Sequence, residues 1–213
     1  MADIFRKYTD VLSLMDMIEH QRLTLLSPSL WYDQNDSYGL ELYSKQKGKG
    51  RVYALCMAGT AETAHHWQIY ASHSHGLCVQ FDRTGLISHF NSLGGDILHG
   101  EVQYRNLTQI REMQPIPQDV LPFLKRDTFK AENEYRIVAW EDEFFASDIY
   151  GIPLPLSLIR RVTFGPSMPR RLAETFKSVL CAKEGCVDIP FAMSKLNNNE
   201  SWRKAVTEGA VAE

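Results

Sequence analysis

Glu132, Glu134 and Arg136 occupy every second position in the stretch from Lys125 to Trp140, where an apolar run begins. Alternation at period two reads as a half-buried strand over Glu132–Trp140. Glu132, Glu134 and Arg136 then share one face, and Tyr135, Ile137 and Ala139 the other. Unpaired buried charge is costly, so the acidic face either meets water or lines a site. Paired carboxylates can take a proton from an incoming nucleophile and stabilise a developing cation. The competing reading is a solvated face with a cross-strand ion pair to Arg160 or Arg161. Such a pair contributes a few tenths to about 1 kcal/mol.

Other residues carry weaker signals. Trp67 and Tyr70 stand three apart on a helical stretch, as core or as ring faces for stacking. Ser27 precedes Pro28, as a turn former or a site residue. Asn35 and Asp36 fit an Asx turn, a helix cap or a site. His65, His66, His73 and His75 include no H-x-x-x-H pair, and no C-x-x-C knuckle accompanies them, so no metal site is expected. Lys45, Lys47, Lys49 and Arg51 put four positive charges in seven residues. They read as a solvated loop, or as a local contact for a nucleic-acid or protein acceptor.

The elements that must position these residues follow from patterning. Ile4–Tyr8 is a candidate first strand. Residues 11–20 form a helix with Val11, Leu14, Met15 and Ile18 inward and Thr9 or Asp10 as cap. Arg22–Ser27 is a short strand ended by Pro28-Ser29. Residues 33–51 are polar, contain Gly39, Gly48 and Gly50, and read as the flexible loop. Val52–Met57 is a strand, Thr60 caps a helix over Ala61–Ala71, and Leu77–Phe81 is a strand. Gly85–Phe90 is a short helix and Glu101–Tyr104 a short strand. Val120–Lys130 is helical in pattern and runs directly into the acidic strand. Arg160–Phe164 is a strand stopped by Gly165-Pro166. Arg170–Lys183 is a helix started by Pro169, with Leu172, Phe176 and Val179 or Leu180 inward. Val187–Met193 closes the pattern. The expected class is α+β, one domain over 1–195 with a loose polar tail over 196–213.

Composition narrows the function. Of 213 residues, 44% are hydrophobic and 23% charged, which excludes wholesale disorder. A net charge of −3 argues against a broad basic surface gripping duplex DNA through phosphates. The start Met1-Ala-Asp-Ile-Phe-Arg-Lys has no apolar signal-peptide core, and no apolar run reaches membrane-spanning length. Cys56, Cys78, Cys181 and Cys186 sit in apolar stretches without C-x-x-C spacing, as reduced, buried thiols do. A cytoplasmic protein with no membrane partner is the expectation.

Three strings carry a family resemblance. Lys7-Tyr8, with Leu25-Leu26-Ser27-Pro28 and Asn35-Asp36, resembles the opening of a bacterial family catalogued as domain of unknown function 2971. Trp67-Gln-Ile-Tyr70-Ala71, His75-Gly76 and Phe81-Asp82 are similar to its middle motif, and Lys130-Ala-Glu132-Asn-Glu134-Tyr-Arg136 to its most specific one. The likeness runs from about residue 5 to residue 190. The family pattern has proline after asparagine-aspartate, and Ser37 stands there here. More distantly, the order strand, helix, turn, strand ending in Ser27, and a late strand opening Glu132-x-Glu134 resembles ADP-ribosyltransferases.

That second resemblance implies a split, mixed or antiparallel β-sheet core flanked by helices, cupping NAD as substrate. It implies Glu134 as the catalytic carboxylate, with Glu132 orienting or deprotonating the acceptor. Lys7, Tyr8, Ser27 and Arg136 would hold the dinucleotide, with Arg136 or Lys7 on its pyrophosphate, and Trp67 and Tyr70 would stack. A macromolecular acceptor, protein or nucleic acid, is implied, with a toxin, phage-defence or counter-defence role. Two other readings stand beside it. One is a non-catalytic nucleic-acid- or protein-binding module of a defence or toxin–antitoxin system. The other is a metal-dependent hydrolase or nuclease built on the glutamates and histidines.

Overall fold

The computed structural model describes residues 3–71, 73–95, 97–141 and 147–210. In chain order, β1 (Ile4–Asp10), α1 (Val11–Glu19) and β2 (Arg22–Leu26) lead into α2 (Gln34–Gln46) and β3 (Arg51–Ala58). Then come α3 (Ala64–Tyr70), β4 (Gly76–Asp82), α4 (Arg83–Leu93), β5 (Ile97–Glu101), β6 (Gln103–Arg105) and α5 (Leu107–Glu112). The remainder is β7 (Leu124–Arg126), β8 (Glu134–Glu141), β9 (Ile149–Pro153), β10 (Ile159–Phe164), α6 (Arg170–Cys181), β11 (Phe191–Met193) and α7 (Glu200–Ala210). The class is α+β, with a mixed sheet in which only the β10–β11 pair is parallel among the described residues. A separate two-stranded parallel ribbon joins β6 and β7.

The large sheet is divided. Along one edge β3 pairs with β8 over its whole length, from Arg51↔Glu141 to Ala58↔Glu134. Its other edge touches β1 at one register pair, Arg6↔Ala58, and β2 at one, Leu26↔Ala54. The half β11-β10-β4-β1 therefore parts from the half holding β5, β8, β3, β2 and β9 just beyond Arg6. Helix α1 links β1 to β2 and buries Leu14, Met17 and Ile18 in the main core; Met15, expected inward, is exposed.

Strand alternation sorts the two faces. Tyr53, Leu55 and Met57 of β3, with Tyr135, Ile137 and Ala139 of β8, face the main core. The opposite face carries Val52, Ala54, Val138 and Trp140 under α2, where Leu40 and Tyr43 pack. Beyond them, Tyr8, Ala58, Trp67, Ala71 and Cys78 form a third cluster under α3. Both faces of β8 are covered: all of its residues from Glu134 to Trp140 are buried.

Several expected elements take another form. The polar stretch 33–51 holds α2, capped by Asp33, whose Oδ1 accepts from the Asn35 and Asp36 amides. Asp36, Ser37, Leu40, Tyr43 and Ser44 supply its buried stripe, three of the five polar and so without an apolar periodicity. Thr63, not Thr60, caps α3. The expected helix over Val120–Lys130 is two 3-10 turns, Gln118–Phe123 and Asp127–Glu132, flanking β7. Pairing of Leu124–Arg126 with β6 interrupts the helical path there. In α6, Ala173 and Leu180 are buried, whereas Leu172 and Val179 are exposed. The expected loose tail is α7 over Glu200–Ala210, with no buried residue; residues 211–213 lie outside the described ones. Among the described residues, no helix is long and apolar enough to cross a membrane. The four cysteines are free, Cys78 and Cys186 buried and Cys56 and Cys181 partly so.

Candidate active site

The acidic residues lie at the join of the two half-sheets. Glu134 opens β8 in the row Gln80–Arg6–Ala58–Glu134, which crosses the single β1–β3 contact. Glu132 is not in the strand. It ends the 3-10 turn Asp127–Glu132, and Asn133 between the two glutamates is left-handed at φ 45. Asparagine tolerates that conformation better than other side-chain-bearing residues. The kink breaks strict alternation yet brings both carboxylates to one cation: Lys125 Nζ lies 2.6 Å from Glu132 and 3.3 Å from Glu134. The Asn133 carbonyl accepts the Gly59 amide at 2.8 Å, tying the kink to the end of β3.

Neither glutamate is solvated, which corrects the solvated-face reading. Glu132 is 3% and Glu134 9% exposed, and Arg136 is fully enclosed. Arg136 Nη1 and Nη2 grip Asp36 through two 2.7 Å hydrogen bonds, in the bidentate geometry that charge-assisted pairs favour. Nη2 also donates to Glu134 at 3.1 Å, Nη1 to the Pro122 carbonyl at 3.0 Å, and Nε to Cys56 Sγ at 3.4 Å. Trp31 lies over the guanidinium at 5.3 Å and Phe129 beneath the Lys125 ammonium at 4.8 Å. Lys125 also reaches Asp36 at 3.4 Å. Of the two expected cross-strand partners, Arg160 and Arg161, Arg160 pairs with Asp82 instead.

Three carboxylates, Asp36, Glu132 and Glu134, thus face two cations inside the protein, one formal negative charge in excess. Burial disfavours the charge on Lys125, but Glu134, Asp36 and Glu132 outweigh it and hold the ammonium above its ordinary pKa. Burial also works against Arg136, and the surrounding Cys56, Asp36 and Glu134 again prevail. The same burial, with Glu134 alongside, pushes the Cys56 thiol up to about 12. The Tyr104 hydroxyl accepts the Glu134 amide at 2.9 Å, fixing the start of β8.

Helix α3 closes the site from the β1 side. His66 is buried; its Nε2 meets the Glu132 carbonyl at 3.0 Å and its Nδ1 the Thr63 hydroxyl at 2.7 Å. A carbonyl only accepts, so Nε2 carries the proton and Nδ1 receives the Thr63 hydroxyl. Burial lowers the His66 pKa and keeps the ring neutral. Tyr8 stacks on His66 at 5.0 Å and meets Trp67 edge-on at 5.1 Å. Trp67 is 3% exposed, with Nε1 bonded to Glu62, so it presents no free stacking face. Tyr70 as a residue is 41% exposed, while burial of its hydroxyl and the neighbouring Glu132 carboxylate raise its phenol far above the ordinary value.

The structure therefore gathers Glu132, Glu134, Arg136 and Tyr70, with Tyr8 one ring beyond. Lys7 is half-buried on β1, and burial lowers its pKa against the pull of Cys56 and Asp10. Ser27 is buried just past the β2–β3 contact and hydrogen-bonds Ser29 at 2.9 Å, apart from the carboxylates. Lys45 and Lys47 end α2 instead of forming a mobile loop. Lys47 lies over Tyr43, Lys49 over Trp140, and Arg51 pairs with Asp148. Among the described residues no group of three or more His, Cys, Asp or Glu is arranged to hold a metal ion. Lys125 was not legible as a site residue. Its only sequence signal is a lysine following the apolar Leu121-Pro-Phe-Leu124.

Residues 66–137, from His66 through the first half of β8, match a family described as "Protein of unknown function (DUF2971)". The matched segment contains Lys125, Glu132, Glu134 and Arg136. No curated protein matches the chain. Among solved structures it is similar to Thermus sp. 2.9 DarT in complex with carba-NAD+, at 10% identity and a TM-score of 0.45. That alignment covers 91% of this chain and 96% of the other. It is also similar to Thermus sp. 2.9 DarT in complex with ADP-ribosylated ssDNA, at 8% identity and a TM-score of 0.45, covering 91% and 95%.

Proposed function

We propose that this chain is an NAD-dependent ADP-ribosyltransferase that transfers ADP-ribose to a macromolecular acceptor. One observation carries the reading: a buried carboxylate cluster with one negative charge in excess stands where the two half-sheets part. Breaking the bond between nicotinamide and ribose builds positive charge on the sugar, as in glycoside hydrolysis. A fixed, desolvated carboxylate stabilises that charge far better than water does. In the proposed step the C1′–N bond breaks and its electron pair neutralises the nicotinamide ring. A lone pair of the acceptor bonds C1′, and its proton passes to Glu132.

Glu134 stabilises the ribosyl cation and Glu132 orients and deprotonates the acceptor. Tyr8, Lys7 and Ser27, along the parting between β1 and β2, hold the dinucleotide, with Lys7 as the point charge for its pyrophosphate. Tyr70, an exposed residue of α3, stacks on the ligand. Arg136, wholly enclosed, acts by holding Glu134. Exposed Lys45, Lys47 and Lys49, with Arg51, offer a nucleic-acid acceptor a local positive surface, without the broad basic face that duplex binding needs. A cytoplasmic toxin, phage-defence or counter-defence factor is the setting that suits such an activity.

The test is nicotinamide release from labelled NAD in the presence of cell extract, alongside calorimetric NAD binding. Glu134→Gln is expected to bind NAD within a few-fold of wild type and to lose release by about 10²–10³-fold. NAD that neither binds nor shifts the melting temperature of the wild type would overturn the proposal.

A further inference from the structure

We infer that Asp36 and Lys125 are positioning residues that set the placement of the Glu132–Glu134 pair for the transfer step. This rests on the reading proposed above and assigns roles to two side chains that touch no ligand in it. Asp36 lies in the first turn of α2, far in sequence from β8, and Lys125 in β7, nine residues before Glu134. Both are enclosed, Asp36 at 4% and Lys125 at 9% exposure.

The geometry gives each a distinct task. Asp36 takes both terminal nitrogens of Arg136 at 2.7 Å, which fixes the guanidinium plane and aims Nη2 at Glu134 Oε2, 3.1 Å away. Without the Asp36 carboxylate, Arg136 keeps Glu134 as its only anion and is free to turn toward it. Lys125 holds Glu132 at 2.6 Å and Glu134 at 3.3 Å, so one ammonium sets the separation of the two carboxylates. Each oxygen of Glu134 thus has its own cation: Oε1 faces Lys125 and Oε2 faces Arg136. A carboxylate pinned at both oxygens cannot rotate, and a misplacement of about 1 Å in such a group can cost on the order of 10² in rate. Cys56 on β3 and the Pro122 carbonyl complete the shell around Arg136 and carry no formal charge.

Asp36→Asn keeps the shape of the side chain and removes its charge; Lys125→Met keeps the stem and removes the ammonium. The readouts are kcat and KM for nicotinamide release, NAD affinity, and circular dichroism below the melting transition. Both variants are expected to lower kcat on the order of 10²-fold per folded molecule, with KM and NAD affinity within about threefold of wild type. Asp36→Glu, which restores the carboxylate, is expected to recover most of the rate. If the folded variants melt earlier but turn over at the wild-type rate, the two residues are merely structural and the inference fails. A raised KM at unchanged kcat overturns it too, by making them binding residues. A wild type that neither binds NAD nor releases nicotinamide instead sinks the enzyme reading, and the inference falls with it. If Asp36→Asn does not fold, Lys125→Met decides the question alone.

Discussion

Replacing Arg136 by methionine tests the charge cluster most directly, because the methionine retains the apolar stem and removes the guanidinium. Two 2.7 Å bonds to Asp36, one of 3.1 Å to Glu134 and one of 3.0 Å to the Pro122 carbonyl disappear together. Asp36 and Glu134 then depend on Lys125, at 3.4 and 3.3 Å, and three enclosed carboxylates face one cation. Removing one member of a buried ion pair costs about 3–5 kcal/mol, chiefly from the charge left behind. Total stability for a domain is about 5–15 kcal/mol, so the loss is a large fraction. Asp36→Asn in the same background removes one stranded carboxylate, and the double variant is expected to be more stable than the sum of the singles implies. A coupling of about 0.5–3 kcal/mol is the range for contacting residues. Urea unfolding at pH 7, followed by circular dichroism and tryptophan fluorescence, reads all four corners of the cycle. A cost below about 1 kcal/mol for Arg136→Met at unchanged m-value, or strict additivity, would refute the coupled cluster.

Two further outcomes follow from local geometry. A β-carbon at Gly76 would stand 2.2 Å from the Ala71 carbonyl oxygen, so Gly76→Ala must displace the end of α3 from β4. A cost of about 2–3 kcal/mol, or roughly 4–12 °C in melting temperature, is expected; a shift under 1 °C would contradict the packing. Cys56, with its thiol held up to about 12, is expected to react with iodoacetamide at pH 8 about 10³-fold more slowly than a small free thiol. Its rate should climb about tenfold per pH unit up to that value, and a plateau near pH 9 by mass spectrometry would contradict its enclosure.

The elements with clean periodicity are those that a reading of the chain places well. The order β1, α1, β2 is legible because Asp10 caps a helix with Leu14 and Ile18 inward, and Pro28 ends the strand after it. Strands β3, β4, β8 and β10 announce themselves by unbroken apolar or alternating runs. Helix α2 does not, because three of its five buried positions are Asp36, Ser37 and Ser44. Asp36 is buried only because Arg136, one hundred residues later, neutralises it. The stretch Val120–Lys130 misleads in the opposite sense: its apolar spacing suits a helix, but the pairing of β7 with β6 draws its middle into a strand flanked by short turns.

The residues themselves decide that Glu134 and Arg136 share one face of β8 and that Tyr135, Ile137 and Ala139 share the other, because strand side chains alternate whatever surrounds them. They also carry the α+β pattern. Whether that charged face is wet or buried is a property of what lies above it, and only tertiary contact supplies α2, β7 and the turn at Glu132 as its cover. The grip of Asp36 on Arg136 and the parting of the sheet beyond Arg6 are long-range, and each depends on chain segments meeting across tens of residues, where local spacing carries no information. The pairing of Lys125 with both glutamates spans only seven and nine residues, yet it depends on the left-handed turn at Asn133, which strand alternation does not announce.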